Sequence, residues 1–122
     1  MDSDKIYDYP GICASIMEID PKIRFVGVIN DRGRLVAGGM RENVEPLESE
    51  NDDEMMFMEL ALRVKMRREF DATLGEVRFA LALREKALAI STHLGEDILY
   101  VVAEPDADYG ALPKRILDIV DA

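Results

Sequence analysis

The stretch FVGVINDRGRLVAGG, Phe25 to Gly39, decides how the rest of the chain is read. Two apolar runs flank a polar turn, Asn30-Asp31-Arg32-Gly33. That turn reads as a type I turn with its glycine in the left-handed position, the bulged form of a β-hairpin. Ile23 to Ile29 is β-branched, aromatic and apolar on both faces, the pattern of a strand covered from both sides. Leu35 to Met40 returns as the second strand. Gly33 is expected at positive φ, where any Cβ costs about 1 kcal/mol or more. The closing Gly38-Gly39 raises the question of a phosphate cradle. Such a cradle needs a helix N-terminus directly after the glycines and usually a lysine. MRENVEP follows instead, so close backbone packing is the better reading of this pair.

Before the hairpin, Asp8 and Pro10 have the form of a helix start, and Ile12, Cys13, Ile16, Met17 and Ile19 recur at helical spacing up to Asp20-Pro21. After it, residues 42–54 contain seven acids and no base. They read as a solvated loop in which Ser49 caps the next helix with Asp52, Asp53 and Glu54 at its positive end. Helix two, at 52–70, is built from strong helix formers, with Glu59–Arg63 and Lys65–Glu69 as expected i,i+4 pairs. Its apolar positions exceed one stripe, which predicts burial on more than one side.

Three strands follow. Val77 to Leu83 alternates Val77, Phe79, Leu81 and Leu83 with Arg78, Ala80 and Ala82. A turn at Arg84–Lys86 leads to a run with Leu88, Ile90 and Thr92 opposite Ala89, Ser91 and His93. Each has a bulky face and a small one, as strands do where a helix packs close on the small side. Residues 97–103 are apolar on both faces and should be central. A last helix is expected at Pro113–Asp121. Pairing the doubly apolar strands predicts one α+β domain over 1–122. Its five-stranded antiparallel sheet has the order 2-1-5-4-3, in the sequence α-β-β-α-β-β-β-α. Helix two covers one face and the terminal helices the other.

This order, with Phe25–Ile29, Asp31-Arg32-Gly33, Leu35–Gly39 and the long helix after them, resembles the Roadblock/LC7 family, whose fold is related to profilin and longin domains. The wider sequence also resembles a group of short archaeal proteins. The family resemblance implies a homodimer that pairs third strands into one continuous sheet, helped by helix two. It further implies a scaffold or regulator of small GTPases and motor complexes, with no catalytic site of its own. The acidic connector and the charged strand end at Arg84, Glu85 and Lys86 depart from the family pattern.

Composition narrows the classes further. The net charge is −10, from 25 acids and 15 bases, which repels phosphate backbones and argues against nucleic acid and anionic membrane as partners. No apolar run approaches a membrane span, and the acidic N-terminus MDSDKIYDYP lacks the apolar stretch of a secretory signal. A single cysteine, Cys13, fits a reducing cytoplasm.

Individual residues give little chemistry. His93 has no sequence neighbour that would make it a base or nucleophile partner, and Cys13 reads as a buried filler. Glu104, Asp106 and Asp108 begin like a calcium loop, but Gly110 and Leu117 occupy positions that must ligate. Capping acids at a helix entry explain them better. Arg63, Lys65, Arg67 and Arg68 read as a solvated face. No catalytic, metal or cofactor residue is assigned. The candidate interface is Met55, Met58, Leu62 and Met66 on helix two with Arg78, Phe79, Ala80, Leu81, Ala82 and Leu83 on the third strand, since methionine-rich helices and unpaired apolar edges both suit protein partners. The rival expectation is a small-molecule sensor of profilin/PAS-like shape, with a cavity between sheet and helix.

Overall fold

The computed structural model describes residues 6–122; Met1 to Lys5, half of the acidic N-terminal stretch, lie outside the described residues. The elements run α1 (Tyr9–Ile19), β1 (Ile23–Ile29), β2 (Leu35–Met40), α2 (Glu50–Arg68), α3 (Asp71–Leu74), β3 (Ala80–Leu83), β4 (Leu88–Leu94), β5 (Asp97–Ala103) and α4 (Leu112–Val120). The sheet is antiparallel with the expected order β2-β1-β5-β4-β3.

The hairpin forms as its turn chemistry dictates. The Gly33 N–H donates to the Asn30 carbonyl at 3.0 Å, and Asn30 Oδ1 accepts from the backbone N–H groups of Arg32 and Arg34. Gly33 has φ +76°, and the register slips between Val28 and Ile29, which marks the bulge. Gly33 also serves packing. A Cβ there would sit 2.7 Å from the backbone of Met58, so the hairpin tip lies directly on α2. Gly38 has φ +85°, and a Cβ would run into the Val26 carbonyl oxygen. The expectation of close approach fails at Gly39, where a Cβ would meet open space.

Two cores lie on opposite faces of the sheet. On one, α1 and α4 bring Cys13, Ile16, Leu112, Ile116 and Val120 onto Val26, Val28, Leu88, Ile90, Leu94, Leu99 and Val101. On the other, α2 brings Phe57, Ala61 and Val64 onto Ile29, Ile98 and Tyr100. Phe25, Phe57 and Tyr100 form an aromatic cluster there, with centroids 5.8 to 6.1 Å apart. The terminal helices and α2 therefore divide as the doubly apolar central strands require.

Three boundaries differ from expectation. α2 spans 50–68, capped by the Ser49 side chain, which accepts from the Asp52 N–H at 3.2 Å. A four-residue α3, not expected from the sequence, follows just past the end of the expected helix. The third strand begins at Ala80 and not at Val77. Thr92 Oγ1 donates to the Arg78 carbonyl at 2.6 Å, so a side-chain bond stands where the β4 ladder would continue. Of the two expected helix pairs, Glu59–Arg63 closes at 2.8 Å; among the described residues Lys65–Glu69 does not.

Candidate interaction surface

Two surfaces emerge from the residues singled out in the sequence, and the structure separates them. α2 presents the sheet with Phe57, Ala61 and Val64. On its far side Met55, Met58, Leu62 and Met66 stand in solvent, 59 to 68% exposed. Helix two is thus buried on one side only, and the burial expected on a second side is absent from a lone chain.

The other surface is the β3 edge. β3 pairs with β4 alone, through Ala80–Ser91, Leu81–Ile90, Ala82–Ala89 and Leu83–Leu88. Among the described residues its outer rim of N–H and C=O groups has no strand beside it. Leu81 and Leu83 pair with Ile90 and Leu88 and so share the α1/α4 face, 36% and 50% exposed. Ala80 and Ala82 point to the α2 face, Ala80 half-buried and Ala82 exposed. Phe79 and Arg78 lie outside the strand. Phe79 remains partly exposed, and Arg78 is held at 2.6 Å by Asp121, just past the end of α4. Arg78 is therefore occupied within the chain.

Between the two surfaces runs an open cleft of ≈ 130 Å³. Its floor is Ala80, Ala82, Ala89 and Ser91, whose small side chains leave a gap beneath the helix. Its wall is the flank of α2 bearing Glu59, Arg63 and Arg67, with Arg84 from the β3 end. The flank of α2 nearest β3 is charged, so the methionine stripe and the edge strand do not form one apolar patch. The four-residue spacing of Glu59, Arg63 and Arg67 was the available sign of this flank.

A second, smaller hollow of ≈ 40 Å³ lies beneath the acidic connector, between Phe25, Met40, Leu47, Glu48, Asp53, Met56 and Tyr100. Burial, with Asp53 and Asp52 close by, pushes the Glu48 carboxyl up. Burial also raises Asp53, while its hydrogen bond with Glu48 pulls the other way. Burial, then the Glu48 charge, pushes the Tyr100 hydroxyl up to about 12.

The remaining singled-out residues have structural partners. His93 is half-buried, and burial followed by the Arg68 charge holds it below its ordinary value. Cys13 is buried in the α1 core. Glu104 pairs with Arg24 and Asp106 with Lys22, while Asp108 Oδ1 accepts from the Gly110 and Ala111 N–H groups at the entry to α4. Among the described residues no three His, Cys, Asp or Glu side chains converge on a point that could hold a metal ion, and no helix is long and apolar enough to cross a membrane.

A family model covers residues 1–121 of this sequence. The chain belongs to DUF6659. That family is described as a family of unknown function, so the membership carries no activity with it. No curated protein matches the sequence. Among solved structures the DUF6659 chain is similar to Myxococcus xanthus MglB, at 16% identity and TM-score 0.71, over 96% of this chain and 92% of that one. It is also similar to a Roadblock/LC7 domain from Streptomyces avermitilis, at 15% identity and TM-score 0.69, over 94% and 93%. Schizosaccharomyces pombe profilin matches at 14% identity and TM-score 0.64, over 93% and 94%. At these identities the likeness establishes the fold, which is that of Roadblock/LC7 and profilin structures.

Proposed function

We propose that this chain is a non-catalytic, single-domain interaction module of the cytoplasm, forming homodimers through β3 and α2. In that form it serves as a scaffold or regulator for a protein partner, with a small GTPase as the class that the Roadblock/LC7 resemblance implies. The observation that carries this reading is the open β3 edge. A strand with a free hydrogen-bonding rim, flanked by partly exposed Phe79, Leu81 and Leu83, gains most by pairing with its own copy. The second support is the exposed methionine stripe on α2, which leaves a long apolar surface in water.

The sensor reading draws no comparable support. The described spaces between the sheet and its helices measure from ≈ 10 to ≈ 160 Å³ and are open, below the roughly 300–1,000 Å³ of small-molecule pockets.

Light scattering coupled to size exclusion at tens of micromolar tests the proposal. The expected mass is that of a dimer or larger assembly, and Leu81→Lys should reduce it. A monomer with an intact circular dichroism spectrum overturns the reading. For the partner class, the tagged chain is expected to recover a small GTPase from native lysate.

A further inference from the structure

The connector between β2 and α2, residues 42–49, lies over the α2 face of the sheet. Val44 and Glu48 are half-buried, and the rest of the segment is exposed. Arg24 of β1 ties it down. One of its terminal nitrogens donates to the Glu45 carbonyl at 2.6 Å and the other meets Glu104. Beneath the connector is the apolar hollow of ≈ 40 Å³, lined by Phe25, Met40, Met56, Phe57, Tyr100 and Val102. A water-sized group needs roughly 10–15 Å³, so the hollow takes about three of them, the size of a branched side-chain tip. Close-packed interiors seldom leave such room among aromatic and methionine side chains. Leu47 stands at the mouth, yet it stays 54% exposed and does not fill the space.

The rim of the hollow has one sign of charge. Residues 42–54 carry seven acids and no base. Among the described residues none of the seven is in a salt bridge. Arg24, which also lines the hollow, is matched by Glu104. Glu48 and Asp53 share a hydrogen bond, and burial holds both carboxyls above their ordinary range, with Arg84 the charge that opposes this at Glu48. A solvated loop does not need an apolar hollow under it, and a packing defect does not need acids around it.

We propose that the hollow docks a segment of a different protein, which inserts one leucine or methionine between the connector and the Phe25–Phe57–Tyr100 cluster and carries lysine or arginine on either side of that residue. The apolar anchor takes the desolvated centre and the basic flanks lie along the acidic connector, the division of an interface into core and rim. An acidic segment would meet like charge at every flank. A second copy brings its own net charge of −10 against the same acids. The inference rests on the reading of the chain as an interaction module and gives its partner a chemistry, but it uses neither the β3 edge nor the outer face of α2.

Selection of a displayed random-peptide library on the full chain tests this. Enriched peptides should carry a leucine or methionine flanked by lysine or arginine. One such peptide, titrated into the chain isotope-labelled in its methionine methyls, should shift Met40 and Met56 and leave Met55, Met58 and Met66 in place. Its affinity should fall about tenfold or more in Glu45→Lys/Glu48→Lys, on raising salt from about 0.05 to about 0.5 M, and on replacing the peptide's anchor by alanine. Glu42→Lys/Glu45→Lys, at two exposed positions, should weaken binding in the same direction without touching the half-buried Glu48. No enrichment, enriched peptides without basic residues, shifts at Met55, Met58 and Met66 instead, or equal binding of the alanine peptide overturns the proposal. A lower mass of the free chain in Glu45→Lys/Glu48→Lys, read by light scattering, makes a second copy the occupant and also overturns it. Light scattering of the parent chain separates this inference from the dimer. A dimer that enriches no such peptide keeps the β3 contact and removes the docking site. A monomer that binds the peptide at Met40 and Met56 does the reverse.

Discussion

The two faces of the sheet differ in how much helix they hold. On one face, eleven-residue α1 and nine-residue α4 bury Cys13, Ile16, Leu112, Pro113, Ile116 and Val120. On the other, nineteen-residue α2 buries only Phe57, Ala61 and Val64. The longest helix is the least anchored for its length. One face is finished within the chain, whereas the other keeps an apolar stripe and a cleft in water. The lesson is that hydrophobicity beyond one stripe on a helix signals an unmet contact as readily as a deeper core.

This contrast can be broken most directly in the two cores. Ile16, fully buried under α1, should cost about 3 kcal/mol or more when cut to alanine, whereas Val64→Ala beneath α2 should cost about 1–2 kcal/mol. Urea titration of both variants checks this. Equal losses would mean that α2 is as firmly seated as α1.

A change of middle size concerns the hairpin tip. Gly33→Ala places a Cβ at φ +76° against the Met58 backbone, and about 2 kcal/mol of stability should be lost. Loss of α2 ellipticity ahead of the global melt would show that the tip is a main anchor of that helix.

The smallest expected effect is electrostatic. Glu48 has a raised pKa in the folded chain, through burial and then Asp53 and Asp52. The folded state thus holds its proton more tightly than the unfolded one. Stability from this group is full below the unfolded pKa near 4.5 and is lost as pH rises through the raised value. Glu48→Gln should therefore stabilise the fold at pH 7, by less than about 1 kcal/mol in a partly exposed site, and the gain should vanish below about pH 4. A gain that persists at acid pH would point to something other than charge.

Much of the architecture was legible because several local signals agreed. Asn30 to Gly33 encoded the turn, and the doubly apolar runs 23–29 and 97–103 encoded the adjacent central strands. Ser49 and Asp52 marked a helix start that the structure reproduces. The misreadings arose where a tertiary contact outweighed a local pattern. Val77, Phe79, Leu81 and Leu83 alternate along the whole segment, yet the Thr92 hydroxyl takes the Arg78 carbonyl and the ladder starts at Ala80. The pair Gly38-Gly39 looked uniform, and both pair with β1, but only at Gly38 would a Cβ run into that strand. For the candidate surface, residue identities were readable and their grouping was not. Nothing local to Leu81 or Met58 reveals that Glu59, Arg63 and Arg67 stand between them.

One arginine ties the finished face together. Arg41, just past β2, donates from Nε to the Ile23 carbonyl at 2.6 Å and from one terminal nitrogen to the carbonyls of Met17 and Asp20 at 2.6 and 2.9 Å. Arg115 of α4 does the same for Ile19 at 2.9 Å. The carbonyls of the last turn of α1 therefore find donor partners far along the chain instead of in its own sequence. That makes the helix end a dependent of the sheet edge and of α4. In hydrogen-exchange terms, amides near this corner should open together with β2, and α1 should complete its final turn only after the strands have met.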